Sequence, residues 1–342
     1  MRDAVTLERK RAVVLLSGGL DSSLAARMML DQGVELLAIH FTSPFCTCSR
    51  GPDGGCRSQA QVVAERMGIP LQTVPKGREY LEIVRNPRHG RGSGMNPCLD
   101  CRIFTLAKAR EYMERVGASF LVTGEVLGQR PMSQRSDAFR IIEKHSGCRG
   151  LVLRPLCARH FEPTFPEREG WVDRERLLGI TGRSRKEQIR LAESWNVGDY
   201  PCPAGGCLLT DRGFSVKVRD LFAHREHPDL SDIQLLKVGR HFRFPDGRKA
   251  IVARNEEENR KLEALCRGRI PVYVANGFSG PSVAVEGARE LPEDLLSRFL
   301  TRYSKPGTSS PFPVREVGPS GERLLSVPRN PDFSEAERAL LA

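Results

Sequence analysis

Two groups of residues in this sequence have the types and spacing to do chemistry. The first is Ser17-Gly18-Gly19-Leu20-Asp21-Ser22-Ser23, set between an apolar run at 12–16 and a stretch at 21–30 with Leu24, Ala25, Met28 and Met29 at helical spacing. A strand that turns through glycines into a helix gathers backbone N–H groups around one concavity, which favours an anion. The spaced Gly-Lys-Ser/Thr ending of a Walker A loop is missing, so hydrolysis in P-loop fashion is not expected. An aspartate beside phosphate repels it unless a cation lies between them, and Asp21 therefore reads as a Mg²⁺ contact, direct or through water. The plain alternative is a tight turn that only needs glycine. Flanking by a strand and a helix weighs against it.

The second group is cysteine. Of ten cysteines, Cys98 and Cys101 form a CxxC, Cys202 and Cys207 a second close pair, and Cys46, Cys48 and Cys56 share one loop-like stretch. Cys148, Cys157 and Cys266 stand alone and read as buried small hydrophobes. A CxxC with another close pair is a metal signal that leaves the metal open. Three thiolates could hold a [4Fe-4S] cluster with one iron left for hydrosulfide. All four could close a tetrahedral Zn²⁺ site, or one cysteine could carry a persulfide that another resolves. Cys46, Cys48 and Cys56, as CxC plus one distant residue, read as loop thiols. His40, His89, His145 and His160 show no dyad spacing and read as surface or structural residues.

The surrounding elements must position these groups. Residues 12–16, 35–41, 71–74, 119–123 and 151–154 read as strands, with helices expected at 21–30, 58–67, 101–116 and 185–195. This rhythm predicts an α/β fold with a doubly wound parallel sheet. The Pro/Gly-rich joint at 201–206 then marks a change. Strands at 241–244 and 249–253 flank Pro245-Asp246-Gly247-Arg248 as a hairpin, followed by a helix at 256–266, a strand at 271–275 and a helix at 292–302. The expected domains are 1–210, a second, smaller α/β domain at 211–305, and a loosely ordered tail at 306–342.

Composition narrows the class. The 342 residues are 39% hydrophobic and 28% charged, and no apolar stretch reaches 18 residues, so a membrane span is not expected. The charged N-terminus lacks a secretory h-region, and the expectation is a cytoplasmic protein. The net charge of +11 suits a polyanion partner, with basic residues dense at 76–91 and 130–159. Aromatics make up only 6%, which argues for reading of RNA shape and phosphate rather than base stacking.

With those residues in view, Ser17–Ser23 resembles the PP-loop of ATP pyrophosphatases. Thr123-Gly124-Glu125-Val126-Leu127-Gly128-Gln129 with Ser133-Gln134 resembles a loop of tRNA 4-thiouridine synthetases. So do Leu153-Arg154-Pro155-Leu156 and the helix carrying Arg185-Lys186-Glu187. Asn96-Pro97-Cys98-Leu99-Asp100-Cys101 and Pro203-Ala204-Gly205-Gly206-Cys207 are similar to the cysteine motifs of iron–sulfur thiouridine synthetases. The C-terminal part, with Val238-Gly239-Arg240, looks like an NFACT-R-type domain suspected of RNA contact. About ten residues precede the motif here, where those synthetases carry a ferredoxin-like and THUMP region. The resemblance therefore implies tRNA docking through the C-terminal domain and the basic loops.

It further implies an ATP-dependent tRNA sulfurtransferase that adenylates a uridine carbonyl oxygen and replaces it with sulfur, giving 4-thiouridine. Ser17, Gly18, Gly19, Leu20, Asp21, Ser22, Ser23, Gly124 and Gln129 would hold ATP and Mg²⁺. Ser133 and Gln134 would help place the nucleotide and the target base. Cys98, Cys101 and Cys207 would hold a [4Fe-4S] cluster, Cys207 being preferred to Cys202 by its motif. The sulfur donor, free sulfide or a carrier, stays open, as does a homodimer. The alternatives are a PP-loop enzyme adenylating a small molecule around a four-cysteine zinc site, and a non-catalytic RNA-binding protein that keeps a nucleotide pocket.

Overall fold

The computed structural model describes residues 10–47, 56–197, 206–288, 291–319 and 321–341. The chain divides into two units, Met1–Thr210 and Asp211–Ala342.

In the first unit the elements run β1 (Arg11–Leu15), α1 (Leu20–Leu30), β2 (Glu35–Thr42), α2 (Cys56–Met67), β3 (Leu71–Pro75), α3 (Arg78–Arg85), α4 (Cys98–Arg115), β4 (Phe120–Thr123), α5 (Ser136–Ser146), β5 (Val152–Leu153), α6 (Phe165–Arg168) and α7 (Lys186–Ser194). The five strands form one parallel sheet in the order β3-β2-β1-β4-β5. Helices cover both faces. Val14, Leu24, Ala25, Met29 and Phe120 build a core on one side, and Val13, Leu106, Ala109, Leu121 and Ile142 on the other. Burial on both faces explains why β1 and β4 read as unbroken apolar runs. Strand order reverses between β1 and β4. The carboxyl ends of those two strands flank the crevice where such sheets take ligands.

The second unit contains α8 (Arg212–His224), α9 (Leu230–Leu236), β6 (Arg240–Arg243), β7 (Lys249–Val252), α10 (Glu256–Cys266), β8 (Val272–Ala275), β9 (Val283–Glu286), α11 (Glu293–Tyr303), β10 (Phe312–Gly318), β11 (Gly321–Val327) and α12 (Ser334–Ala339). Its sheet is antiparallel, in the order β11-β10-β8-β9-β7-β6. The loose tail expected after residue 305 is corrected here. β10 pairs with both β8 and β11, and Phe312, Val314, Val327 and Ala336 are fully buried with Phe299. Pro, Ser and Gly in that stretch concealed apolar residues that alternate along β10.

One ion cluster bears on the stability of this unit. Asp220, buried in α8, accepts from Arg243 Nε at 2.8 Å and Lys249 Nζ at 2.9 Å. Burial alone would raise its carboxyl, but the two cations pull it down to about 2. Because the folded value lies below the unfolded one, the contribution is present above about pH 4 and lost as pH falls through about 2. Asp220→Asn strands two cations and should cost about 3–5 kcal/mol. Urea unfolding of the full chain reads this, and a loss under about 1 kcal/mol would show the pair to be screened as a surface pair is.

A cavity of about 460 Å³ in this unit is lined by Arg225, Arg243, Lys249, Arg269 and Glu286 among others. Each cation there is already paired with Asp220, Asp232 or Glu286. Among the described residues no helix is long and apolar enough to cross a membrane.

Candidate active site

β1 ends where the backbone must turn sharply. Gly18 has φ +77°, and a Cβ there would lie 2.6 Å from the Ala60 nitrogen in α2, so only glycine fits. Serines stiffen the turn. Ser22 Oγ lies 3.0 Å from Ser17 Oγ and donates to Gly19 O at 2.9 Å, and Ser23 Oγ donates to the same carbonyl at 3.0 Å. Gly19 caps α1 from an extended conformation, and Leu20, Asp21 and Ser22 open the helix, where backbone N–H groups have no intrahelical acceptor.

The loop after β4 closes on this turn. A Cβ on Gly124 would stand 2.4 Å from the Asp21 carbonyl carbon, so glycine lets the strand end abut the first turn of α1. Gln129 Nε2 donates to Asp21 Oδ2 at 2.8 Å, and Arg185, capping α7, reaches the same oxygen at 3.8 Å. Gly182 N donates to Leu127 O at 2.7 Å, which fixes the segment before α7 against the loop. Ser133 and Gln134 are buried, and Gln134 O accepts from Gly128 N at 2.6 Å. Asp21 Oδ1, Gln129 Oε1 and Gln134 Oε1 are buried acceptors without a hydrogen-bond partner. Such orphans suit an incoming cation or donor group.

Beneath the loop, Glu125 is buried between Arg102, at 2.9 Å, and Arg154, at 3.2 Å. Burial works to raise its carboxyl, and the two guanidiniums outweigh it, so Glu125 stays ionised with a lowered pKa.

The three expected cluster cysteines come together in the same unit. Cys98 and Cys101 lie in the first turn of α4, three residues apart and on one face. Cys207 arrives from the far end of the unit, its backbone bridged to Cys46, with Thr47 N donating to Gly206 O at 3.1 Å and Leu208 N to Phe45 O at 2.8 Å. Cys207 is near enough to Cys98 and Cys101 for their charges to act on it. Each sulfur accepts a hydrogen bond: Cys101 from Lys76 Nζ at 3.0 Å and from Tyr80, Cys98 from Asn96 Nδ2 at 3.2 Å, and Cys207 from the Leu209 amide.

Burial pushes the Cys207 thiol up to about 11 and raises Cys98 as well. At Cys101 burial acts the same way, but Lys76, Tyr80 and Arg102 overcome it and the pKa falls. The soft sulfur donors and their hydrogen bonds fit a three-thiolate cluster. Among the described residues no three His, Cys, Asp or Glu side chains converge on a single-ion site, and Cys202, needed for the zinc alternative, lies outside them, as does Cys48. Cys148, Cys157 and Cys266 are buried, as their isolation suggested.

Some contacts had no sequence signal. His89 Nδ1 lies 2.8 Å from Asp100 Oδ1 and stacks edge-on to His145, whereas spacing had shown no dyad. His40 Nδ1 holds Leu16 O at 2.9 Å and His160 Nε2 holds Gly179 O at 2.8 Å, both structural roles. Cys46, read as a loop thiol, stands across from Cys207. Only the chain's return at 206–208 makes these neighbours.

Fold and site together define an α/β domain whose parallel sheet carries a glycine turn at the head of α1 and a group of cysteines near the start of α4. Residues 8–162 match the family described as thiamine biosynthesis protein (ThiI). Residues 239–330 match the NFACT protein RNA binding domain. A probable tRNA sulfurtransferase of Methanosarcina mazei is 32% identical over 124 residues, 35% of this chain and 29% of the relative. A tRNA-specific 2-thiouridylase MnmA of Pseudomonas aeruginosa (strain LESB58) is 28% identical over 252 residues, 70% of this chain and 62% of the relative. The chain thus spans less than two thirds of the length of either. Among solved structures, a 4-thiouridine synthetase–RNA complex with bound ATP aligns with 59% of this chain and 46% of its own, at 22% identity and TM-score 0.41. The U34-tRNA thiolase NcsA from Methanococcus maripaludis, with its [4Fe-4S] cluster, aligns with 69% and 74%, at 19% identity and TM-score 0.32.

Proposed function

We propose that this chain is an ATP-dependent tRNA sulfurtransferase that converts a uridine to 4-thiouridine. One observation carries the reading: a single loop joins the anion-binding turn to the thiol pocket. Gln129 in that loop holds Asp21, while Met132 Sδ takes Asn96 Nδ2 at 3.5 Å and the Arg130 charge acts on Cys98. On this reading nucleotide chemistry and sulfur chemistry are linked through that loop. The relatives named tRNA sulfurtransferase and tRNA-specific 2-thiouridylase support the same class of reaction.

The chemistry follows from the groups present. A carbonyl oxygen leaves poorly, so the uridine oxygen attacks the α-phosphorus of ATP and pyrophosphate departs. A sulfur nucleophile then adds to the ring carbon and AMP leaves with the oxygen. The backbone N–H groups of Gly18, Leu20, Asp21 and Ser22 meet the phosphate charge without reorganising, those of Gly19 and Ser23 being held within the turn by Ser17 Oγ and Gly19 O. Asp21 would hold Mg²⁺, with Gln129 fixing the carboxylate and Arg185 adding positive charge. Cys98, Cys101 and Cys207 would hold a [4Fe-4S] cluster, which when bound would offer iron to a soft anion such as hydrosulfide. Exposed Arg88, Arg91, Arg130 and Arg140 offer tRNA phosphates a surface beside the site.

Mass spectrometry of tRNA nucleosides from a deletion strain tests this. Loss of 4-thiouridine, restored by the full-length gene, is the expected result. Loss of 2-thiouridine would move the reaction to the other carbonyl, and unchanged thionucleosides would overturn the assignment.

A further inference from the structure

We propose that Lys76, assisted by Tyr80, sets the reduction potential of the cluster through the sulfur of Cys101. The inference rests on the cluster reading above and assigns a positioning residue to it. Lys76 belongs to a basic stretch that the sequence suggested for polyanion contact, yet it is only 8% exposed and turned inward. It follows β3 directly, and its own N–H is tied to Thr42 O at 2.9 Å. Nζ then lies 3.0 Å from Cys101 Sγ and 4.9 Å from the centre of the Tyr80 ring. The Tyr80 hydroxyl, on a ring 2% exposed, shares the same sulfur.

Among the described residues no carboxylate pairs with Lys76. Burying an ammonium without a counter-anion is costly. A sulfur anion at Cys101 supplies the counter-charge, and an iron–sulfur group ligated there extends it. Charge and hydrogen bonds at ligand sulfurs stabilise the more negative, reduced state, so they raise the potential. The three sulfurs are not equivalent in this respect. Cys101 faces a full charge and a hydroxyl, Cys98 a neutral amide side chain, and Cys207 a backbone amide. Low local dielectric magnifies the charged contact over the neutral ones. Lys76 therefore governs the couple more than Asn96 does.

The test is an anaerobic redox titration of the full chain, reconstituted with iron and sulfide and followed by electron paramagnetic resonance. Iron content and ATP binding are measured on the same samples. Lys76→Met should keep iron and ATP binding near wild type while the midpoint moves to a more negative value. Tyr80→Phe should move it the same way by less, and Lys76→Arg should recover part of the shift. A Lys76→Met protein with full iron and an unmoved midpoint overturns the role of Lys76 and leaves the cluster standing. Wild-type protein that takes up no iron overturns both. Should Lys76→Met fail to bind ATP through misfolding, Tyr80→Phe decides alone, and an unshifted midpoint there counts against the proposal.

Discussion

Asp21→Asn should abolish pyrophosphate release from ATP while leaving the chain folded and able to bind tRNA. The substitution keeps the size of the side chain and one oxygen, but removes the charge that a cation needs. Asp21 sits at the meeting point of three elements. It opens α1, its carbonyl packs against Gly124 at the end of β4, and its carboxylate is held by Gln129 and approached by Arg185. Its remaining oxygen is buried and without a partner. Preorganised charges of this kind are typically worth roughly 10²–10³-fold in rate. A metal contact should lie at the upper end, because neutral asparagine is a poor ligand for a hard cation such as Mg²⁺. The readout is pyrophosphate release with Mg²⁺ and tRNA present, beside tRNA affinity. Near-wild-type release would remove Asp21 from the chemistry and leave it as the anchor for Gln129.

Cys207→Ser should empty the cluster site and end thiolation while ATP binding persists. Serine matches the thiol in shape, so the backbone bridge to Cys46 and the bond from Leu208 N to Phe45 O are retained. What changes is the donor, from a soft thiolate that iron prefers to a hydroxyl. A site left with two of its three thiolates should no longer retain the cluster. Iron analysis of anaerobically prepared protein gives the answer, with the 4-thiouridine content of complemented cells as a second measure. Cys202→Ser made in parallel should leave iron unchanged. Iron lost from that variant but retained in Cys207→Ser would transfer the third ligand to Cys202.

These two predictions draw differently on sequence and structure. The glycine turn between an apolar strand and a helix was legible from residue types alone, because only a few backbone conformations join those elements and glycine is needed at φ +77°. The CxxC at Cys98 was equally local, although its helix begins at Cys98 and not at 101 as its apolar pattern suggested. Pro97 cannot donate within a helix, which makes it a natural start. The helices α3 and α5 were hidden in basic stretches. In α3 only eight residues carry the pattern, too short a run among charges to stand out, although Tyr80, Leu81 and Val84 are buried together.

What the sequence by itself determined is local: a glycine turn between strand and helix, an aspartate in that helix's first turn, a loop rich in hydrogen-bonding side chains, and cysteines in close pairs. Short-range sterics and residue type suffice for that, since each motif is complete within a few positions. Tertiary structure decided which groups meet. The strand order reversing between β1 and β4 brings Gln129 to Asp21 across 108 positions, and the chain's return at 206–208 sets Cys207 beside Cys98 and Cys101. The placing of the end of β3 near the start of α4 puts Lys76, 25 positions from Cys101, onto its sulfur and out of solvent. Such pairings depend on which apolar faces bury one another, a long-range choice that leaves no mark in the spacing of the residues it brings into contact.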